Sequence, residues 1–367
     1  MNISRYYGTE KVEYEFEFLT PAFLGGHDGN AELRTPPFKN LIRRWWRVAG
    51  NENLSPENLW KEEAKLFGSA SGEGNSASRI RIRIVNSQCT DSNEAINLGR
   101  VYHPEVGQGG LDIDAALYLG YGPVSYEKEA HKDQNGSKRS STIKYKKYII
   151  PGSRVQLEIL MPKDKVDSIK YIMTLIHNFG AIGSRSRNGW GSLSVRQLQG
   201  GNKQILPGVG RIKECAVDWE KGFSSNEKRS YPHYIGKDDT SLLAWEVERG
   251  NDYEELLGQL AKLYLELRTS FKFPTDDKTT AERYVLGYPV THHELSERKN
   301  KSIERVPSQL LLKIARVSDK NLSARIIHIP YKQELLTGTK INDKEVWEKV
   351  HAYLDGQNGL SRMGAQQ

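Results

Sequence analysis

The sequence predicts an α+β fold of two halves, each laid out as β-α-β-β-α-β, and three observations predict it. Short stretches alternate apolar and charged residues with period two, and longer stretches carry apolar residues at helical spacing. The same succession of stretches then recurs in outline beyond residue 231 of the 367. A chain of this length accommodates two domains, at roughly 150 residues each.

The first strand is Val12-Glu13-Tyr14-Glu15-Phe16-Glu17-Phe18, where apolar and acidic residues alternate. A Gly-rich loop (Gly25 to Asn30) leads to Pro36-Pro37, which open a helix with Phe38, Leu41, Ile42, Trp45 and Ala49 on one face. A second helix runs from Ser55 to about Phe67. Alternation returns in Arg79-Ile80-Arg81-Ile82-Arg83-Ile84 and in Val155-Gln156-Leu157-Glu158-Ile159. From Asp164 to Asn178, Val166, Ile169, Ile172, Met173 and Ile176 mark a helix, and Gly191 to Val195 is the closing strand. This is the order of a split βαβ unit, a ferredoxin-like (RRM-like) domain over residues 1–199 with a long polar insertion at about 88–150. The Lys-, Ser- and Tyr-rich stretch from Lys128 to Lys147 predicts a mobile loop or hairpin.

Residues 200–231, rich in Gly, Lys and Ser, read as a linker. A second ferredoxin-like domain is expected over 232–356. Its strands are Ser241 to Val247, Tyr284 to Val290, Leu310 to Ala315 and Ala324 to Ile329, and its helices Asp252 to Phe271 and Asp343 to Leu354. Residues 357–367 are expected to fray.

With 37% hydrophobic residues and no apolar run near the roughly 18 residues of a span, no membrane partner is expected. The start, Met1 to Tyr7, carries no export or organelle signal, and Cys89 and Cys215 suit thiols in a reducing compartment, so the expected location is the cytoplasm. A net charge of +7 favours a phosphate-rich partner, though many basic proteins bind none.

Two constellations could carry that binding. In the first helix Lys39, Arg43 and Arg47 recur at i, i+4, i+8, flanked by Arg34, Arg44 and Trp46, with no acidic residue between Arg34 and Arg47. A helix N-terminus beside a Gly-rich loop offers N–H groups to phosphate, and Arg and Trp stack on unpaired bases. The plain alternative is a solvated basic face. The second constellation is the loop from Gly180 to Gly191, in which four glycines permit close backbone approach. Ser184, Arg185 and Arg187 supply polar and charged groups there, and Trp190 an aromatic face. Lys138, Arg139, Lys144, Lys146 and Lys147 add phosphate-binding charge. The Arg79, Arg81, Arg83 row faces Glu13, Glu15, Glu17 and Glu158 on the same sheet surface, which points to mutual ion pairing instead.

Catalytic patterns are lacking. There is no Walker loop, dinucleotide fingerprint, HExxH, zinc-finger spacing or GxSxG elbow, so neither metal nor cofactor is expected. His27 in the Gly-rich loop is the one candidate general base, toward a ribose 2′-hydroxyl, and it has no visible partner in the sequence.

Thr20-Pro21-Ala22-Phe23-Leu24-Gly25-Gly26 and Glu32-Leu33-Arg34-Thr35-Pro36-Pro37, leading into Leu41-Ile42-Arg43-Arg44-Trp45-Trp46-Arg47, closely resemble the RAMP superfamily of CRISPR proteins, particularly its members in type III-B (Cmr) complexes. Gly180 to Gly191 is similar to that superfamily's Gly-rich loop, and the resemblance is specific over about residues 10–195. It implies tandem ferredoxin-like folds, partnership with other Cmr subunits, and contact with guide RNA or target single-stranded RNA. Where a related RNA-cleaving subunit carries a catalytic Asp, the approximate counterpart here is Glu32, which favours binding over cleavage; Asp28 nearby keeps cleavage open. Three readings follow: a non-catalytic RNA-binding subunit that contributes to target capture, a metal-independent guide-processing endoribonuclease, and a scaffold whose basic surface docks protein.

Overall fold

The computed structural model of the chain describes residues 8–26, 30–49, 55–69, 76–133, 136–200, 202–204, 206, 208–224, 234–273, 281–287, 307–331 and 341–365. Two antiparallel sheets, the first with three long helices in its stretch of chain and the second with two, make it a mixed α/β protein. In the first, β1 (Thr9–Phe18) is followed by α1 (Thr35–Val48), α2 (Pro56–Phe67) and β2 (Arg81–Gln88). Then come β3 (Arg154–Pro162), α3 (Val166–Phe179) and β4 (Leu193–Gln199). The spatial order is Asn202–Gln204, β4, β1, β3, β2. Val12, Tyr14, Phe16 and Phe18 of β1 are buried, and Phe16 meets Phe38 of α1 edge to face at 5.4 Å. The period-two alternation of β1 thus selects the core face.

The opposite face is not a free charged surface. Arg83 pairs with Glu158 at 3.0 Å, Lys11 bridges Glu13 and Glu158, and Arg154 lies 3.6 Å from Glu17. Arg316, from the second half, reaches Glu17 at 2.9 Å, so the end of β1 is covered on both sides.

The second sheet is built from β5 (Ala244–Gly250), β6 (Leu310–Arg316), β7 (Leu322–His328) and β8 (Leu360–Arg362), in the spatial order β6, β7, β5, β8. The helices α4 (Tyr253–Ser270) and α5 (Asp343–Asp355) belong to it. Asp252 caps α4 by accepting from Glu254 N–H at 2.9 Å, and Ser55 caps α2 by accepting from Asn58 N–H at 3.3 Å.

Four expectations change. The strand expected at Tyr284 to Val290 is a 3₁₀ turn over Glu282–Leu286, with 288–290 outside the described residues. The tail expected to fray supplies β8, whose Leu360 pairs with Val247. The insertion is not wholly polar, since helix Ala115–Gly120 buries Ala115 and Leu119, while Val124–Asp133 and Gly136–Tyr145 form the hairpin. The stretch expected as a linker folds too. Helix Val209–Cys215 buries Ile212, and Trp219 is buried at the start of the next helix. Composition misleads there because single apolar residues in a polar stretch suffice to anchor it.

Both hydrophobic cores draw residues from both halves. At their junction β6 meets the Gly-rich loop. Leu312 N–H donates to Arg187 O at 2.8 Å, and Ile314 N–H donates to Ser192 Oγ at 3.1 Å. Lys313 between them is wholly buried, and its Nζ donates to Leu193 O at 2.5 Å and to Gly180 O. Burial pushes its ammonium well below the usual lysine range.

Candidate nucleic-acid interface

Glu63 of α2 decides the state of the α1 ridge. Its carboxylate is buried and accepts from Arg47 Nη2 at 2.6 Å, from Arg47 Nε and from Arg43 Nε. Burial alone would raise its pKa, but the hydrogen bonds and charges of Arg47 and Arg43 outweigh it and hold the carboxyl below its ordinary range. The expectation of an unneutralised ridge is therefore corrected. The acid comes from the next helix rather than from within the motif. The sequence carried a signal for it, since Leu59, Glu63 and Leu66 fall at i, i+4, i+7, which places Glu63 on the buried stripe of α2.

Trp46 is also not a stacking surface. It is buried against Phe67 of α2, with ring centroids 6.0 Å apart. Arg44 is half-buried and has partners of its own. Lys39 alone of the ridge has no acidic partner among the described residues; burial and the charge of Arg43 push its ammonium below the usual range. The N-terminus of α1 offers less than expected, because Pro36 and Pro37 remove two of its four free N–H groups. No side chain caps it and no acid lies in its first turn. Arg34 there donates to Gly25 O at 3.3 Å and lies 3.9 Å from Glu32.

The Gly180 to Gly191 loop is chiefly a joint. Trp190 is fully buried and packs on Phe23 at 5.3 Å, so it presents no face to a base. Gly191 sits at φ 65°, where a Cβ would run into the Ile182 carbonyl, so the close approach that glycine permits is to the protein's own backbone. Thr20 Oγ1 donates to Gly189 O at 2.7 Å and accepts from Ser192 N–H at 2.9 Å. Arg187 donates to Ser308 O in the second half.

What the loop shows to solvent is Ser184, with Arg185 beside it. Ser184 N–H donates to Phe23 O at 3.0 Å, which docks this turn on the segment leaving β1. Arg185 has φ 57°, a left-handed backbone that costs a non-glycine residue of order 1 kcal/mol and is often found at working sites. Its guanidinium lies next to Gly122, in the turn ahead of the hairpin. At the hairpin base Lys146 N–H donates to Pro123 O at 2.9 Å, and Ile149 pairs with Ala22.

The structure therefore brings Ser184, Arg185 and Lys146 together through contacts among three loops, with Arg34 bonded to Gly25 O on the loop that receives Ser184. Lys146 is exposed with no acidic partner among the described residues, whereas Lys144 pairs with Glu127 and Lys147 lies 3.4 Å from Asp91. Two aromatics missing from the sequence reading belong to the same region. Tyr121 is 66% exposed in the Gly122 turn, and Tyr126 is 51% exposed on the hairpin. An aromatic just before a Gly-Pro turn was the available signal for Tyr121. His27, Asp28 and the side chains of Lys138 and Arg139 lie outside the described residues.

A β-α-β-β-α-β unit closed by a Gly-rich loop that joins two sheets defines a class of protein, and the sequence profile of the RAMP superfamily matches residues 15–194. That match makes the first half of the chain RAMP-like in sequence. Among individual proteins it is similar to the CRISPR system Cmr subunit Cmr1-2 of Pyrococcus furiosus, at 24% identity over 193 residues, covering 51% of this chain and 95% of that one. The crystal structure of Cmr1 from Pyrococcus furiosus (apo form) aligns over 96% of this chain and 98% of that one, with TM-score 0.48 and 16% identity. A chain of the type III-B Cmr-beta complex bound to cognate target RNA aligns over 94% and 100%, with TM-score 0.45 and 16% identity. Among the described residues no helix is long and apolar enough to cross a membrane.

Proposed function

We propose that this protein is a non-catalytic subunit of a type III-B CRISPR (Cmr) complex that binds single-stranded RNA and contributes to target capture. The superfamily match and the name of the Pyrococcus furiosus relative, a CRISPR system Cmr subunit, support the assignment to that assembly. The observation that carries the RNA reading is the exposed meeting of Ser184 and Arg185 with the Tyr121 turn and Lys146, where cations and an aromatic face lie together. Lys39 and Arg34 extend the same charge toward α1. The domain assignment belongs to this proposal too. Within both units the strands run fourth, first, third, second in space, the arrangement of tandem ferredoxin-like domains over 1–199 and 232–356.

Each cation that touches phosphate contributes about one counterion to the salt slope of binding. Fluorescence anisotropy of labelled single-stranded RNA across a salt series is expected to show slopes lowered by about one in Lys146→Ala and in Lys39→Ala. Tyr121→Ala, through lost stacking, is expected to cost about 1–3 kcal/mol with the slope unchanged. The RNA should stay intact on a denaturing gel afterwards. Defined cleavage products that vanish in His27→Ala would replace this reading by the endoribonuclease, and salt-sensitive capture of a protein partner without RNA binding would replace it by the scaffold.

A further inference from the structure

We propose that β2 is a docking edge for an extended strand of a protein partner in which acidic and apolar residues alternate. β2 is the outermost strand of the first sheet, and among the described residues nothing but β3 bonds to the backbone of Arg81–Gln88. The other sheet ends offer less. Asn202–Gln204 and β8 span three residues each, and β6 is covered by the Gly-rich loop. In this eight-residue strand the residues that do not bond to β3 turn their N–H and C=O groups outward, and the edge is long enough to template a further strand.

The side chains specify the incoming strand. Ile82 and Ile84 are half-buried at the rim of the core, so apolar residues opposite them would complete that face. On the other face Arg81 is exposed and has no acidic partner among the described residues, and Arg83 is exposed beside its single partner Glu158. Opposite charges directly across a ladder stabilise pairing and like charges oppose it. The complement is therefore an acidic and apolar alternation, the same pattern as the protein's own β1. A second copy of β2 is disfavoured, because Arg81–Gln88 contains no acidic residue to set against Arg81. Val85, at the bulge where the register with β3 shifts before pairing resumes at Asn86, is 40% exposed.

The test uses the full chain and a fluorescein-labelled ten-residue peptide alternating glutamate and valine, read by anisotropy and by amide hydrogen exchange. Binding with slowed exchange confined to Arg81–Gln88 is expected. Arg81→Glu, at an exposed site and checked for fold by circular dichroism, is expected to weaken this peptide about tenfold and to favour a lysine and valine peptide instead. Absence of binding, binding without protection of these amides, or indifference to Arg81→Glu would overturn the proposal. So would protection of the same amides by single-stranded RNA but not by the peptide.

Discussion

Replacing Trp190 by alanine is expected to destabilise the protein by about 3–5 kcal/mol, the range for emptying a well-packed indole site. The ring is fully buried, packs edge to face on Phe23, and lies in the core that includes residues of both halves. Its neighbours Gly189 and Gly191 hold left-handed backbone, and backbone hydrogen bonds pin the loop on both sides, so the site cannot collapse to fill the gap. Urea unfolding at neutral pH checks this. Trp190→Phe should cost much less, because it keeps an aromatic ring in place and removes an indole Nε1–H that has no hydrogen-bond partner among the described residues. If Trp190 instead stacked on bases, alanine would weaken RNA binding and leave the unfolding midpoint in place.

That contrast marks the limit of the sequence. The strand at β1, the helical face of Phe38, Leu41, Ile42 and Trp45, and the helix over α3 were legible because each depends on a local period that backbone geometry imposes. The Arg83 pairing with Glu158 was legible too, since alternation places both on one sheet face. The roles of Trp190 and Trp46 were not, because an aromatic beside arginine reads alike whether it packs inward or faces solvent, and only tertiary contacts decide. Arg43 and Arg47 looked unpaired because their partner, Glu63, lies on another helix. In the candidate site, the grouping of Arg185 with Tyr121 and Lys146 depends on residues 25 to 64 positions apart in sequence, which no motif spans. The sheet edge at β2 follows the same logic. The pairing read for the arginine row holds at Arg83 but not at Arg81, and the place of the strand at the end of the sheet follows only from strand order.

Acid should destabilise this protein before its carboxylates titrate, because two buried histidines are held neutral. His177 accepts from Val195 N–H through Nδ1 at 3.1 Å. Burial first, then the charges of Lys313, Arg325 and Arg196, lower its pKa to about 3. His351 lies in the second core against Trp219 and Trp245, and its Nε2 is 2.8 Å from His328 Nδ1. Gln309 settles the proton there. Its Oε1 accepts from Tyr331 N–H and its Nε2 donates to Tyr331 O, so His328 Nε2 must donate to Oε1. His328 Nδ1 is then an acceptor, and His351 Nε2 carries the hydrogen that it receives. Burial and Arg362 lower the His351 pKa to about 3 against the opposing pull of Asp355 and Asp238. In both residues the folded pKa lies below the ordinary 6.5, so the unfolded chain binds more protons throughout that interval. Their contribution is complete above about pH 6.5 and is lost as pH falls toward 3, at about 1.4 kcal/mol per pH unit for each histidine. Between pH 7.5 and pH 5 the expected loss is about 2 kcal/mol from each. Urea unfolding at the two pH values measures it, and His177→Gln and His351→Gln should each flatten the dependence by about half. An unfolding free energy that does not change between pH 7.5 and pH 5 would mean that these imidazoles are not held neutral in the folded core.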